Sequence, residues 1–107
     1  MKTSEFFPVD YADGRRKFIE AATAAGAEIT SYQNPLRGPE GQRLFTDLAW
    51  IGPRDARRIL LSMSGTHGVE GFAGSGIQTG SIRQGLYRSL PDATAVALVH
   101  AVTPHGF

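Results

Sequence analysis

The sequence predicts an α/β fold. Two apolar runs, Arg57 to Met63 and Ala93 to Val102, enclose a glycine-rich segment and a helix-length stretch, and a capped amphipathic segment precedes them. Strand, glycine loop, helix, strand is a crossover unit, which sets two parallel strands side by side with the helix on one face.

The first helix starts at Asp10, a good N-cap, with Asp13 placed to meet free amides of the first turn. Tyr11, Phe18, Ile19, Ala22 and Ala25 form one apolar stripe, and Gly26 ends the helix. Ala27 to Tyr32 alternates enough for a strand. Asn34, Pro35, Gly38, Pro39 and Gly41 then read as a turn-rich connecting loop. Arg43 to Ile51 alternates polar residues with Leu44, Phe45, Leu48 and Trp50 and reads as a strand closed by Gly52-Pro53. Arg57 to Met63 has Ile59, Leu60, Leu61 and Met63 in near-continuous order, the pattern of a strand covered on both faces, so it is expected to be central. Gly71 to Leu86 reads as a helix despite its glycines, each costing about 1 kcal/mol relative to Ala in a helix interior. Close approach of another surface would explain them. Leu90-Pro91-Asp92 is a turn, and Ala93 to Val102 is a second buried strand.

Composition narrows the function. With 107 residues, 41% hydrophobic, the chain holds one domain and not two. Eleven Lys and Arg against ten Asp and Glu leave a formal charge of +1, too weak a field to draw in nucleic acid or an anionic membrane. The absence of cysteine excludes disulfides, thiolate zinc sites, iron–sulfur clusters and a cysteine nucleophile. The N-terminal MKTSEFFPVD lacks the apolar run of a signal peptide, and no stretch approaches the ~20 apolar residues of a membrane span. The expected location is cytoplasmic.

In open sheets, ligands gather beyond the carboxyl ends of the strands. Both histidine-bearing segments, SGTHGVEG (64–71) and HAVTPHGF (100–107), fall at such ends. Within the first, His67 and Glu70 are spaced so that a tight turn can aim an imidazole and a carboxylate at one point, two of the three protein ligands of a His2Glu zinc site. Gly65, Gly68 and Gly71 would let the backbone turn sharply around the ion. By itself a His-x-x-Glu spacing is common, and an isolated loop histidine usually has an ordinary hydrogen bond.

Four segments extend the signal: SGTHGVEGFAGSGIQ (64–78), DYADGRRKF (10–18), TDLAWIGPRDARRILL (46–61) and VHAVTPHGF (99–107). On these the chain resembles the DUF2817 family within the zinc carboxypeptidase-like group (M14-type metallopeptidases), which is related to succinylglutamate desuccinylase and aspartoacylase. The resemblance implies the N-terminal part of a mixed sheet flanked by helices, with residues 1–107 forming an incomplete metallopeptidase-like domain. It also implies that His67 and Glu70 match the first two zinc ligands. In that family a third ligand, a His, and a general-base Glu lie further downstream, where this chain ends at Phe107. Relatives read Asn-Pro-Tyr-Gly-Phe where this sequence has Thr103-Pro104-His105-Gly106-Phe107.

His105 is expected to be an exposed terminal histidine, the commoner outcome for a chain end, with a replacement ligand as the alternative if the tail folds back, and His100 is expected to be a satisfied strand-end histidine more often than a ligand. The glycines of GFAGSGIQTG do not form G-x-G-x-x-G and no Gly-Lys-Ser/Thr follows, so a nucleotide loop is unsupported. Ser64 and Ser75 lack the G-x-S-x-G elbow of serine hydrolases. Arg57 and Arg58 read as a solvated strand end, and Trp50, Phe6 and Phe7 as packing residues.

The function expected is that of a truncated zinc metallocarboxypeptidase-like hydrolase. Intact relatives would cleave amide or peptide bonds of small peptides or acyl-amino acids. With the third zinc ligand and the base missing, this chain alone would be inactive or nearly so. The alternative is a non-enzymatic interaction module with the same fold. In that alternative, sheet edges and apolar faces normally covered by the missing part would favour self-association or poor solubility.

Overall fold

The structure, a computed structural model, describes residues 2–107; Met1 of the N-terminal segment lies outside the described residues. A short 3-10 turn (Thr3–Phe6) leads into helix α1 (Tyr11–Ala24), followed by strands β1 (Glu28–Arg37), β2 (Arg43–Ile51) and β3 (Arg58–Met63). Helix α2 (Gly71–Arg83), strand β4 (Thr94–His100) and a 3-10 turn (Pro104–Gly106) complete the chain. The four strands form one mixed sheet in the order β1-β2-β4-β3. β1 and β2 are antiparallel, as are β2 and β4, while β3 runs parallel to β4 through the α2 crossover.

Helix α1 starts as its sequence dictates. The Asp10 carboxylate accepts from the Asp13 amide at 2.7 Å, and Asp13 accepts in return from the Val9 amide at 3.1 Å, so one free donor of the first turn and the amide just before the cap are satisfied. The stripe buries Tyr11, Phe18, Ala21 and Ala22. Phe18, Ala21 and Ala22 meet Ile82 of α2 and Ala49, Val96 and Leu98 of the sheet in the hydrophobic core. Both helices therefore lie against the same face.

Ladder register assigns that face. Leu60 pairs with Val96 and Ser62 with Leu98, so the even residues of β3 turn toward the helices, and Gln78 of α2 donates to Ser62 Oγ at 3.2 Å. Ile59, Leu61 and Met63 point to the opposite, uncovered face and are each more than half exposed.

Three expectations need correction. Residues 34–37 belong to β1, not to a loop; only the turn about Gly38–Gln42 is irregular, closed by the Gly38 amide on the Gln42 carbonyl at 2.9 Å. Pro35 fits because β1 is an edge strand, and the ladder shifts register there, with Asn34 Oδ1 accepting from the Leu36 amide. Second, within the four described strands β3 lies at the opposite edge rather than between neighbours. Its apolar run shows what the strand is built to meet, and the described residues leave both its faces largely exposed. Third, α2 stops at Arg83 and β4 spans Thr94–His100, each shorter than the apolar pattern suggests.

The glycines of α2 do permit close approach. A Cβ on Gly80 would stand 2.8 Å from the Phe6 ring, and one on Gly76 would run into the ring of Phe7. The N-terminal phenylalanines thus pack directly on the helix backbone. Among the described residues, no helix is long and apolar enough to cross a membrane.

Candidate metal centre

The loop from Ser64 to Glu70 joins the carboxyl end of β3 to α2, and residues 101–107 leave the carboxyl end of the neighbouring β4. Parallel pairing sends both chains out on the same side, and hydrogen bonds then join them. The Val102 amide donates to the Ser64 carbonyl (2.9 Å), the Thr103 amide to that of Gly65 (2.7 Å), and Thr103 Oγ1 to that of Thr66 (2.8 Å). Gly65 turns the loop at φ 63°, a conformation glycine adopts without steric cost. The expected proximity of the two histidine-bearing segments is borne out.

On this frame Glu70 folds back over the turn. Its carboxylate accepts from the His67 amide at 2.6 Å and from the Gly68 amide at 3.0 and 2.9 Å. The Gly68 amide foremost, then those of Glu70 and His67 and the charge of the His67 ring, hold the Glu70 carboxyl below its usual value, outweighing desolvation. An anionic carboxylate is the form a cation requires.

His67 Nδ1 stands 3.2 Å from Glu70 Oε1. Two donors of one tetrahedral zinc, each about 2.0–2.2 Å from the ion, stand about 3.4 Å apart. The nitrogen–carboxylate donor pair therefore fits zinc in kind and in spacing. Both side chains are open to solvent, His67 at 86%. No group of three or more His, Cys, Asp or Glu able to hold a metal occurs among the described residues, so the fit is that of two ligands and not of a closed site.

The other histidines are separate from this pair. His105 is exposed in the last 3-10 turn. His100 is fully buried, stacked on Phe18 with ring centroids 4.9 Å apart, and its Nε2 lies 2.8 Å from Ser75 Oγ. Burial pushes its pKa down to about 4, so the ring is neutral near pH 7. The structure supports a satisfied strand-end histidine at Nε2; Nδ1 has no hydrogen-bond partner among the described residues.

Beside His100 lies a polar cluster that the sequence reading missed. Asp47, paired across the ladder with His100, is fully buried and accepts from Arg15 Nε (2.8 Å), Arg15 Nη2 (3.1 Å) and Ser31 Oγ (2.6 Å). Arg15 also covers the Phe45 ring at 4.0 Å. The signal was present: Arg15 falls between Tyr11 and Phe18 on the apolar stripe of α1, and Asp47 shares the inward parity of Ala49 and Ile51.

A family model described as a protein of unknown function (DUF2817) matches residues 7–107. No curated protein is significantly similar to the chain. Among solved structures, a Zn-dependent exopeptidase from Parabacteroides distasonis is similar with a TM-score of 0.62 at 14% identity, over 98% of this chain and 44% of that one. Glutaminyl cyclase from Porphyromonas gingivalis gives 0.61 at 16% identity, over 98% and 43%. A leucine aminopeptidase precursor from Bacteroides thetaiotaomicron gives 0.55 at 16%, over 91% and 42%. The chain thus spans less than half the length of these structures, and the likeness is one of fold.

Proposed function

Since this chain belongs to the DUF2817 family, we propose that it carries the N-terminal part of a zinc-dependent hydrolase of the exopeptidase type, with His67 and Glu70 as two of the metal's ligands. The observation that carries this reading is the 3.2 Å spacing of His67 Nδ1 and Glu70 Oε1 at the shared carboxyl end of two parallel strands. Zinc, when bound there, would polarise an amide carbonyl and lower the pKa of a coordinated water toward ~7.

This chain's own residues prepare the ligands. The amides of His67 and Gly68 fix the direction of the Glu70 carboxylate and keep it ionised, and the Thr103 contacts hold the loop against the 101–107 segment. Two protein ligands leave an ion exposed to water, and among the described residues no third His, Cys, Asp or Glu joins them. The chain alone would therefore bind zinc weakly and turn over little or nothing. Completion by the downstream part of the fold would give amide or peptide-bond hydrolysis on small peptides or acyl-amino acids. The lack of a third ligand among the described residues is also what a non-enzymatic module would show.

Zinc titration of the chain against His67→Ala and Glu70→Ala tests the site. Binding lost in both variants supports it, and equal affinity in all three removes it. Hydrolysis of acyl-amino acids by a version extended to family length, but not by this chain, would favour the hydrolase reading over the interaction module.

A further inference from the structure

Glycine is the poorest helix former after proline, yet α2 holds Gly71, Gly74, Gly76 and Gly80, and the Glu70 side chain makes no capping bond at its start. The rings of Phe7 and Phe6 account for Gly76 and Gly80. Gly74 meets something else. A Cβ there would stand 2.9 Å from Ser64 Cβ and 3.4 Å from Ser64 Cα, at the residue where the loop leaves β3. One turn on, Gln78 Nε2 donates to the Ser62 and Val99 carbonyls at 3.2 and 3.1 Å. The Val99 carbonyl also takes the Ser64 amide at 3.0 Å.

Glu70, Gly74 and Gln78 follow one another at four-residue steps and so share one face of the helix. Through Ser64, Ser62 and Val99 that face rests on the carboxyl ends of β3 and β4. We propose that Gly74 and Gln78 are positioning residues for Glu70. Gly74 sets how closely α2 lies on Ser64, Gln78 sets how far along the two strands it sits, and together they bring the Glu70 carboxylate to the His67 amide. The inference rests on the reading of His67 and Glu70 as metal ligands.

The two ligands are held by different parts of the fold. His67 belongs to a loop whose Ser64, Gly65 and Thr66 carbonyls are tied to Val102 and Thr103. Glu70 moves with α2, because its carbonyl accepts from the Gly74 amide at 3.1 Å. The 3.2 Å spacing of His67 Nδ1 and Glu70 Oε1 therefore follows from how α2 seats. Ser64 and Gln78 are both buried between α2 and the two strands, so the contact is internal to these elements.

Gly74→Ala raises helix propensity but sets a methyl against Ser64. Zinc affinity should fall about tenfold, the scale on which groups supporting a ligand act. In the metal-free chain, the amide proton of His67 should shift upfield as its 2.6 Å bond to the carboxylate lengthens. Ser64→Gly removes the Cβ that the methyl meets, and Ser64 Oγ has no hydrogen-bond partner to lose among the described residues. Gly74→Ala combined with Ser64→Gly should therefore restore both readings. Gln78→Met, which keeps the length and drops the donor, should shift both in the same direction, and Ser64→Gly should not restore them. Native readings in Gly74→Ala, or displaced readings that persist when Ser64→Gly is added, overturn the proposal. Should Gly74→Ala fail to fold, Gln78→Met decides alone, and native readings in it overturn the proposal. A native chain that binds no zinc removes the ligand reading, and the His67 amide resonance then decides the positioning by itself.

Discussion

Arg15 reaches from α1 to grip Asp47 with two nitrogens, Nε on Oδ2 at 2.8 Å and Nη2 on Oδ1 at 3.1 Å, and the carboxylate it holds is fully buried. Removing one partner of a buried pair strands the other charge, which typically costs about 3–5 kcal/mol. Here the Arg15 side chain is 30% exposed and Ser31 remains as a donor, so Arg15→Met should cost about 2–3 kcal/mol. Urea denaturation checks this, and Arg15→Met combined with Asp47→Leu should recover part of the loss. A double variant less stable than the single one would show that the pair is not what links α1 to β2.

His100 makes stability depend on pH in a defined window. Its pKa is about 4 in the folded chain, from burial foremost, against about 6.5 when unfolded. The unfolded state therefore binds the extra proton between these values, so the His100 contribution is fully present above about pH 6.5 and is lost as pH falls toward 4. The integrated effect is about 3 kcal/mol. Thermal unfolding from pH 7 to pH 4 should show a falling midpoint, and His100→Gln should flatten the slope within that window while leaving the acid limb below it, where carboxylates such as Asp13 titrate.

The cap of α1 is a smaller and cleaner test. Asp10→Ala removes the acceptor for the Asp13 amide and should lower stability by about 1 kcal/mol. Asp10→Asn, which keeps a side-chain oxygen, should lose much less. Equal losses would mean that charge near the helix dipole, not the capping bond, is what Asp10 supplies.

These cases show what the chain discloses before it is folded. The cap at Asp10, the β3–α2–β4 crossover and the meeting of the two histidine segments follow from local pattern, because caps, periodicity and parallel pairing are set by neighbouring residues. The edge position of β3 does not follow. Ile59 to Met63 records a preference for cover on both faces, and whether cover exists depends on what else packs there. Asp47 and Arg15 were hidden for another reason: each is an ordinary surface residue type, and only their shared inward parity, on elements far apart in sequence, brings them together. The pairing of His67 with Glu70 was legible as a spacing. The amide bonds that aim the carboxylate depend on the loop conformation and were not.

The loop conformation in turn depends on the tail. Gly106 sits against the His67 backbone so closely that a Cβ there would stand 2.6 Å from the His67 carbonyl oxygen. Backbone cannot yield as a flexible side chain can, so Gly106→Ala must push the Thr66–Gly68 turn away from the 101–107 segment. That movement would alter the amides on which Glu70 rests, while the core about Phe18, Val96 and Leu98 has no contact with the change. Zinc affinity should fall roughly tenfold, the scale on which groups supporting a ligand act, and the urea midpoint should stay nearly constant. If the midpoint drops while zinc affinity holds, the tail braces the fold and not the ligands. His105→Ala, which alters an exposed side chain next to Gly106 without adding bulk at the contact, should leave both measurements unchanged.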